Sequence, residues 1–260
     1  EDVEKYYFNT HKIPEKSILI TFDDGNLNTY TEAFPILQKR NIPFVLFIYP
    51  NATNLGHKKN FATWEEIKEM SDAGVTIGCH SFTHPYLTRP PNSVKTSSDF
   101  DQWLDSEILK PKTIIEEKLG KTVTSFALPF GLTDKTVYDK LKQSGYKFCF
   151  NINTGNNDIY SDTLNLNRIM ITDNMAMNYI NILLDQYPLH FEKTFPDNLY
   201  RIIDQKSFIN FKVKDLEKYV PDSISLKIAG FKKQPLEVKN VNSNLFGGDY
   251  QFTKKQGFYI

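Results

Sequence analysis

Ile18-Leu19-Ile20-Thr21-Phe22-Asp23-Asp24-Gly25 sets the architecture of this chain. An apolar, β-favouring run that stops at two adjacent carboxylates and a glycine predicts a buried parallel strand carrying acids to its C-terminal rim. That rim is where α/β folds place their chemistry. Neighbouring side chains on a strand point to opposite faces, so Asp23 and Asp24 share one rim only if the strand ends and the backbone turns, which Gly25 permits. Taken alone, such a segment also reads as the start of a surface turn, and the strand ends further along must decide.

Working outward, Pro14 precedes the strand and residues 1–17 read as a polar, aromatic leading segment. Residues 31–40 predict a helix that tolerates Pro35 near its first turn. Residues 43–48 (PFVLFI) predict a second buried strand. Thr63-Trp64-Glu65-Glu66 has capping-box spacing for a helix that Gly74 would stop. Residues 75–79 predict a third strand, ending in His80-Ser81-Phe82-Thr83-His84-Pro85. A helical stretch over 98–119, broken or kinked near Pro111, leads to a fourth strand at 124–128 ending in Pro129-Phe130-Gly131. A helix at 133–144, strands at 146–150 and 167–171, and an amphipathic helix at 175–187 complete the series.

This alternation predicts parallel βα units in a distorted, incomplete (β/α) barrel over about residues 1–190, short of the usual size of a full eight-unit barrel. Beyond His190 the pattern becomes short alternating segments at 207–213, 223–229, 235–241 and 249–253, separated by Gly, Pro, Asn and Lys clusters. That predicts a small β-sandwich-like, all-β module at 195–260, whose role the sequence does not reveal.

Lys+Arg and Asp+Glu both total 31, so no bulk charge argues for nucleic acid or an anionic membrane. Binding must come from local sites. The two cysteines, Cys79 and Cys149, are too few for a disulfide framework. No apolar run approaches the roughly 18 residues of a spanning helix, so a soluble chain without a transmembrane segment is expected. It begins at Glu1 with no methionine or signal peptide, which reads as a processed or trimmed terminus.

Three strand ends thus offer groups to one rim: Asp23 and Asp24, then His80 and His84, then Leu128-Pro129-Phe130-Gly131. A His-x-x-x-His pair has the spacing of one helical turn, and a carboxylate from a neighbouring strand completes a three-ligand site. Two histidines and one aspartate with open positions suit Zn²⁺, with Co²⁺, Fe²⁺ or Ni²⁺ as alternatives. A second carboxylate beside such a site, not itself a ligand, is placed to take a proton from water. Cys79 reads as a core residue, and His11 and His57 as solvated.

Thr21-Phe22-Asp23-Asp24-Gly25 followed by His80-Ser81-Phe82-Thr83-His84, each at a strand end, resembles the first two motifs of the polysaccharide deacetylases, the NodB-homology carbohydrate esterases. The resemblance covers about residues 15–187. It implies Asp23 as catalytic base, Asp24, His80 and His84 as ligands of one divalent metal, and the Phe130 backbone N–H as an oxyanion donor. Pro129 and Phe130 fall in the likeness of the third motif, which forms a groove wall. Leu166-Asn167-Arg168-Ile169 is similar to the Leu-Pro-Arg-Ile run of enzymes that de-N-acetylate poly-β-1,6-N-acetylglucosamine, and implies substrate binding by Arg168.

Two departures stand out. Many members open the third motif with an arginine, where this chain has Ala127-Leu128, and many carry a late Leu-x-x-His whose histidine is the general acid. Ile182-Leu183-Leu184-Asp185 lacks that histidine, and His190 after Pro188-Leu189 is a substitute candidate. The resemblance therefore implies a metal-dependent de-N-acetylase acting outside the cytoplasm on an acetylated glycan such as poly-N-acetylglucosamine or peptidoglycan. The alternatives are a carbohydrate-binding or assembly protein on a catalytically lapsed barrel, and a hydrolase of non-sugar amides or O-acetyl esters.

Overall fold

Phe44–Ile48 (β2) is buried at every position, as a strand covered on both faces of a parallel sheet must be. The computed structural model describes residues 2–9, 11–186, 188, 191–195, 201–202, 206–214, 239–242, 245–251 and 258–259. Around β2 lie Ile20–Phe22 (β1), Thr76–Cys79 (β3), Ser125–Ala127 (β4) and Phe148–Phe150 (β5). They form one five-stranded sheet in sequential order, and every pairing is parallel. The sheet curls into the expected incomplete (β/α) barrel.

The helices are Asp2–Phe8 (α1), Phe34–Lys39 (α2), Pro50–Thr53 (α3), Trp64–Asp72 (α4), Ser97–Leu104 (α5), Lys110–Leu119 (α6), Lys135–Gln143 (α7) and Met177–Leu184 (α8). On one side of the sheet Leu46 and Ile48 pack with Ile67, Met70, Ile108 and Ile115; on the other, Val45 and Phe47 pack with Ala127, Phe148 and Phe150. Each large apolar side chain removed from water in this way contributes about 1.5–3 kcal/mol. The capping box of α4 forms: Thr63 Oγ1 accepts from the Glu66 amide at 3.3 Å, and Glu66 Oε2 accepts from the Thr63 amide at 2.8 Å. Cys79 and Cys149 are buried free thiols.

Two expectations need correction. The leading segment contains α1, which folds because Val3 and Tyr7 have the inner sheet face to cover, with the Tyr7 ring edge-on to Phe148 at 5.9 Å. Residues 167–171 form no strand, and only a single parallel bridge joins Phe150 to Leu166. The Asn167 amide and carbonyl are taken by the Asn157 side chain at 2.9 and 2.8 Å, and the Arg168 amide by the Asn153 carbonyl at 3.0 Å, so no ladder can continue. The long helical stretch is interrupted next to Pro111 as expected: Asp105–Leu109 forms a π-turn between α5 and α6. A second π-turn, Thr29–Ala33, precedes α2.

The chain divides into two compact units, Glu1–Gln186 and Tyr187–Ile260. Within the second, Phe191–Phe195 (β6), Lys206–Val213 (β8), Lys239–Asn242 (β9) and Leu245–Gln251 (β10) form an antiparallel sheet of order β6-β8-β10-β9. Arg201–Ile202 (β7) pairs with Phe258–Tyr259 (β11). Phe211 and Phe246 stack across β8 and β10 with centroids 5.6 Å apart. The strand expected at 223–229, residues 235–238 of the next, and His190 lie outside the described residues. No helix among the described residues is long and apolar enough to cross a membrane.

Gly78 in β3 has no room for a side chain. A Cβ there would sit 2.4 Å from the Phe47 ring and 2.8 Å from Ser125 Oγ. Gly78→Ala is expected to destabilise by about 1–3 kcal/mol, read as a lower urea midpoint at unchanged slope.

Candidate active site

Because all five barrel strands run the same way, their C-terminal ends meet at one rim. There β1 leads into Asp23 and Asp24, β3 into His80, β4 into Leu128-Pro129, and β5 into Asn151. The two acids reach the same side because the backbone turns over immediately: Asp24 has φ 73° and Gly25 φ 72°. Gly25 is doubly constrained, since a Cβ would also lie 3.0 Å from the Ile48 side chain.

His80 is buried, and its Nδ1–H donates to the Ala127 carbonyl at 2.7 Å. That bond fixes the tautomer and leaves the Nε2 lone pair facing the rim. Burial pushes the His80 pKa down more strongly than the Asp23 charge and the Ala127 carbonyl raise it, so the imidazole is held neutral, the form that binds metals. The pair is not carried on a helical turn, as its spacing suggests, but on an irregular loop. Ser81 (φ 66°) and His84 (φ 62°) are both left-handed, and Ser81 Oγ accepts from the His84 amide at 2.9 Å.

The outcome is a three-donor cluster. His80 Nε2 and His84 Nε2 lie 3.6 and 3.5 Å from the same oxygen, Asp24 Oδ1, and one donor atom from each residue falls within 4.8 Å of the others. Two imidazoles and one carboxylate, with the buried ring locked in the right tautomer, are a donor set that fits a divalent cation of the zinc type.

Asp23 is oriented differently. Its two oxygens accept from Arg168 Nη1 and Nη2 at 2.7 and 2.8 Å in a bidentate fork. Arg168 Nε donates to the Asn151 carbonyl at 2.9 Å and Nη1 to Thr21 Oγ1 at 3.3 Å. Burial pushes the Asp23 pKa up, but the hydrogen bonds and the charge of Arg168 outweigh it and hold the carboxyl below its ordinary value. With Asp23 Oδ2 3.9 Å from His80 Nε2, an ionised carboxylate stands beside the metal-type cluster.

The sequence reading of Arg168 as a substrate contact therefore meets a different geometry. Its guanidinium is taken up by Asp23. Asn151, at the end of β5, builds the bend that delivers it: its side-chain amide donates to the Asn165 carbonyl, Asn165 Oδ1 and Asn167 Oδ1 at 2.9–3.2 Å. Asn-rich spacing alone carries no signal for that network. Phe130 has φ 59°, an uncommon conformation for a large side chain. Its ring stacks on Tyr86 at 3.9 Å and meets His84 edge-on at 4.7 Å, so the third-motif loop forms one wall of the rim. His11 is exposed as expected, whereas His57 is exposed but paired with Glu66 at 2.9 Å.

Comparison with known proteins places this geometry. The family model for polysaccharide deacetylases matches residues 10–149. The chain is 27% identical over 136 residues to the Bacillus subtilis protein YxkH, covering 52% of this chain and 44% of that one. It is 25% identical over 171 residues to the poly-β-1,6-N-acetyl-D-glucosamine N-deacetylase of Staphylococcus epidermidis, covering 64% and 58%. The chain thus spans about half the length of these curated relatives. Among solved structures, IcaB from Ammonifex degensii matches at 26% identity with a TM-score of 0.59, covering 69% of this chain and 77% of that one. The Streptococcus pyogenes deacetylase PplD shares the fold at a TM-score of 0.63 and 24% identity, covering 71% and 77%.

Arg168→Ala leaves a partly buried carboxylate without its cation. An expected loss of about 1–3 kcal/mol follows, discounted for the solvent that reaches Asp23. Arg168→Lys should recover only part of it, because an ammonium cannot form the fork. Denaturant unfolding of the three proteins tests this.

Proposed function

The chain belongs to the polysaccharide deacetylase family, and from that membership and the rim geometry we propose that it is a metal-dependent hydrolase that removes N-acetyl groups from amino sugars of a glycan. The observation that carries the reading is the juxtaposition of the Asp24, His80 and His84 donors with an ionised, arginine-held Asp23. Asp24, His80 and His84 would hold one divalent cation, Zn²⁺ by the nature of the donors. Such a cation supplies Lewis acidity toward the acetamide carbonyl and lowers the pKa of a water to about 7.

The chain's own groups then act as follows. Asp23 takes the proton of the attacking water, and the Arg168 fork on both its oxygens fixes the carboxylate's orientation while that happens. Phe130, left-handed and packed by its ring against Tyr86 and His84, would offer its backbone N–H to the oxygen that gains charge. Pro129 and Phe130 form the wall against which a sugar ring lies. The leaving amine needs a proton donor, and His190, the sequence candidate, lies outside the described residues.

The barrel of residues 1–190 carries this chemistry, and 195–260 forms an accessory module. The S. epidermidis relative acts by its name on poly-β-1,6-N-acetyl-D-glucosamine, and the same polymer is the first substrate to test here. Action on a cell-surface glycan would put the protein outside the cytoplasm.

Zinc-loaded protein is expected to release acetate from N-acetylglucosamine oligomers. Asp23→Asn should lower the rate by about 10²–10⁴-fold while retaining metal, and His80→Ala should lose metal and activity together. Stoichiometric metal with no acetate from any acetylated glycan would instead support the lapsed-barrel, carbohydrate-binding reading.

A further inference from the structure

Glu107 is a fully interior carboxylate, 4% exposed, that the chemistry above does not use. It sits in the π-turn Asp105–Leu109, where the Lys110 amide reaches back to the Asp105 carbonyl, five residues away. Pro111 has no N–H to return to the Glu107 carbonyl, so the sequence itself disfavours a regular helix at this point. The widened turn is a device often found at functional sites.

Here it faces Glu107 onto the loop between the two histidines. Glu107 Oε2 accepts from the Phe82 amide at 3.1 Å and the Thr83 amide at 2.9 Å, and Oε1 accepts from Thr83 Oγ1 at 2.8 Å. The loop has no regular ladder; the Ser81 hydroxyl takes the His84 amide and the Phe82 carbonyl accepts from the Asn51 amide at 3.2 Å, and the two amides between the histidines are left to Glu107. Charge-assisted bonds of this kind are roughly twice as strong as neutral ones.

We propose that Glu107 is a positioning residue for the metal site: by binding the two amides and the hydroxyl between His80 and His84, it fixes the spacing at which both imidazoles face Asp24. This rests on the divalent-cation reading above. In the absence of Glu107 the loop has to be ordered by the cation itself, and the ordering cost appears as weaker binding. A merely structural role would lower the stability of the metal-free protein and leave its affinity for metal unchanged.

The test is Zn²⁺ affinity of the whole chain, measured by competition with a chromophoric chelator, for wild type, Glu107→Ala and Glu107→Gln, with thermal unfolding of each metal-free protein alongside. Glu107→Ala is expected to weaken zinc binding by about 10–100-fold. Glu107→Gln keeps the shape and one carbonyl acceptor, and the Thr83 hydroxyl can reverse to accept, so it should fall between the two. A folded Glu107→Ala that binds Zn²⁺ as tightly as wild type overturns the proposal. Where the alanine variant does not fold, a Glu107→Gln protein with wild-type affinity overturns it. Failure of wild type itself to bind Zn²⁺ would overturn the metal-site reading on which the proposal stands, and is distinguished by that control.

Discussion

The parallel hydrogen-bond ladder from β1 to β5 is the constraint on which the rest of the molecule depends. It forces five strand ends onto one rim and buries β2 on both faces, and the second of these excludes water from the floor beneath the first. A rigid floor is what allows short-range chemistry above it. The Ala127 carbonyl that fixes the His80 tautomer is available at 2.7 Å only because β3 and β4 are neighbours in that ladder.

Each chemical group at the rim is set by a partner distant in sequence. Asp23 answers to Arg168, His80 to Ala127, and the loop between the histidines to Glu107. The adjacent acids therefore face different partners. Asp24 turns away through a left-handed residue toward the two imidazoles, while Asp23 stays against the guanidinium and remains ionised. Two carboxylates of one type thus acquire separate environments from their surroundings.

Backbone conformations that cost energy are concentrated here. Asp24, Ser81, His84 and Phe130 all have positive φ, and all four line the rim. Such conformations persist only where surrounding contacts over-determine them. The Ser81 hydroxyl on the His84 amide and the Tyr86 ring on Phe130 are contacts of that kind. Strain held by packing is a means of pre-organising donors before substrate arrives.

Local pattern determined much of this. The strands at residues 20–22, 44–48, 76–79, 125–127 and 148–150 are legible because buried parallel strands need continuous apolar runs, and the α4 start because a capping box is a four-residue signal. The donors Asp24, His80 and His84 are legible because each follows such a run. Tertiary structure decided the remainder. Residues 167–171 have the composition of a strand, yet the side chain of Asn157 and the carbonyl of Asn153 take up their backbone groups. Arg168 reaches Asp23 across the barrel, and Glu107 reaches Thr83 through a π-turn. Periodicity reports which face of an element is apolar, which is a property of near neighbours in the chain. It carries no term for which polar group will stand opposite once the strands close, and that pairing exists only in three dimensions.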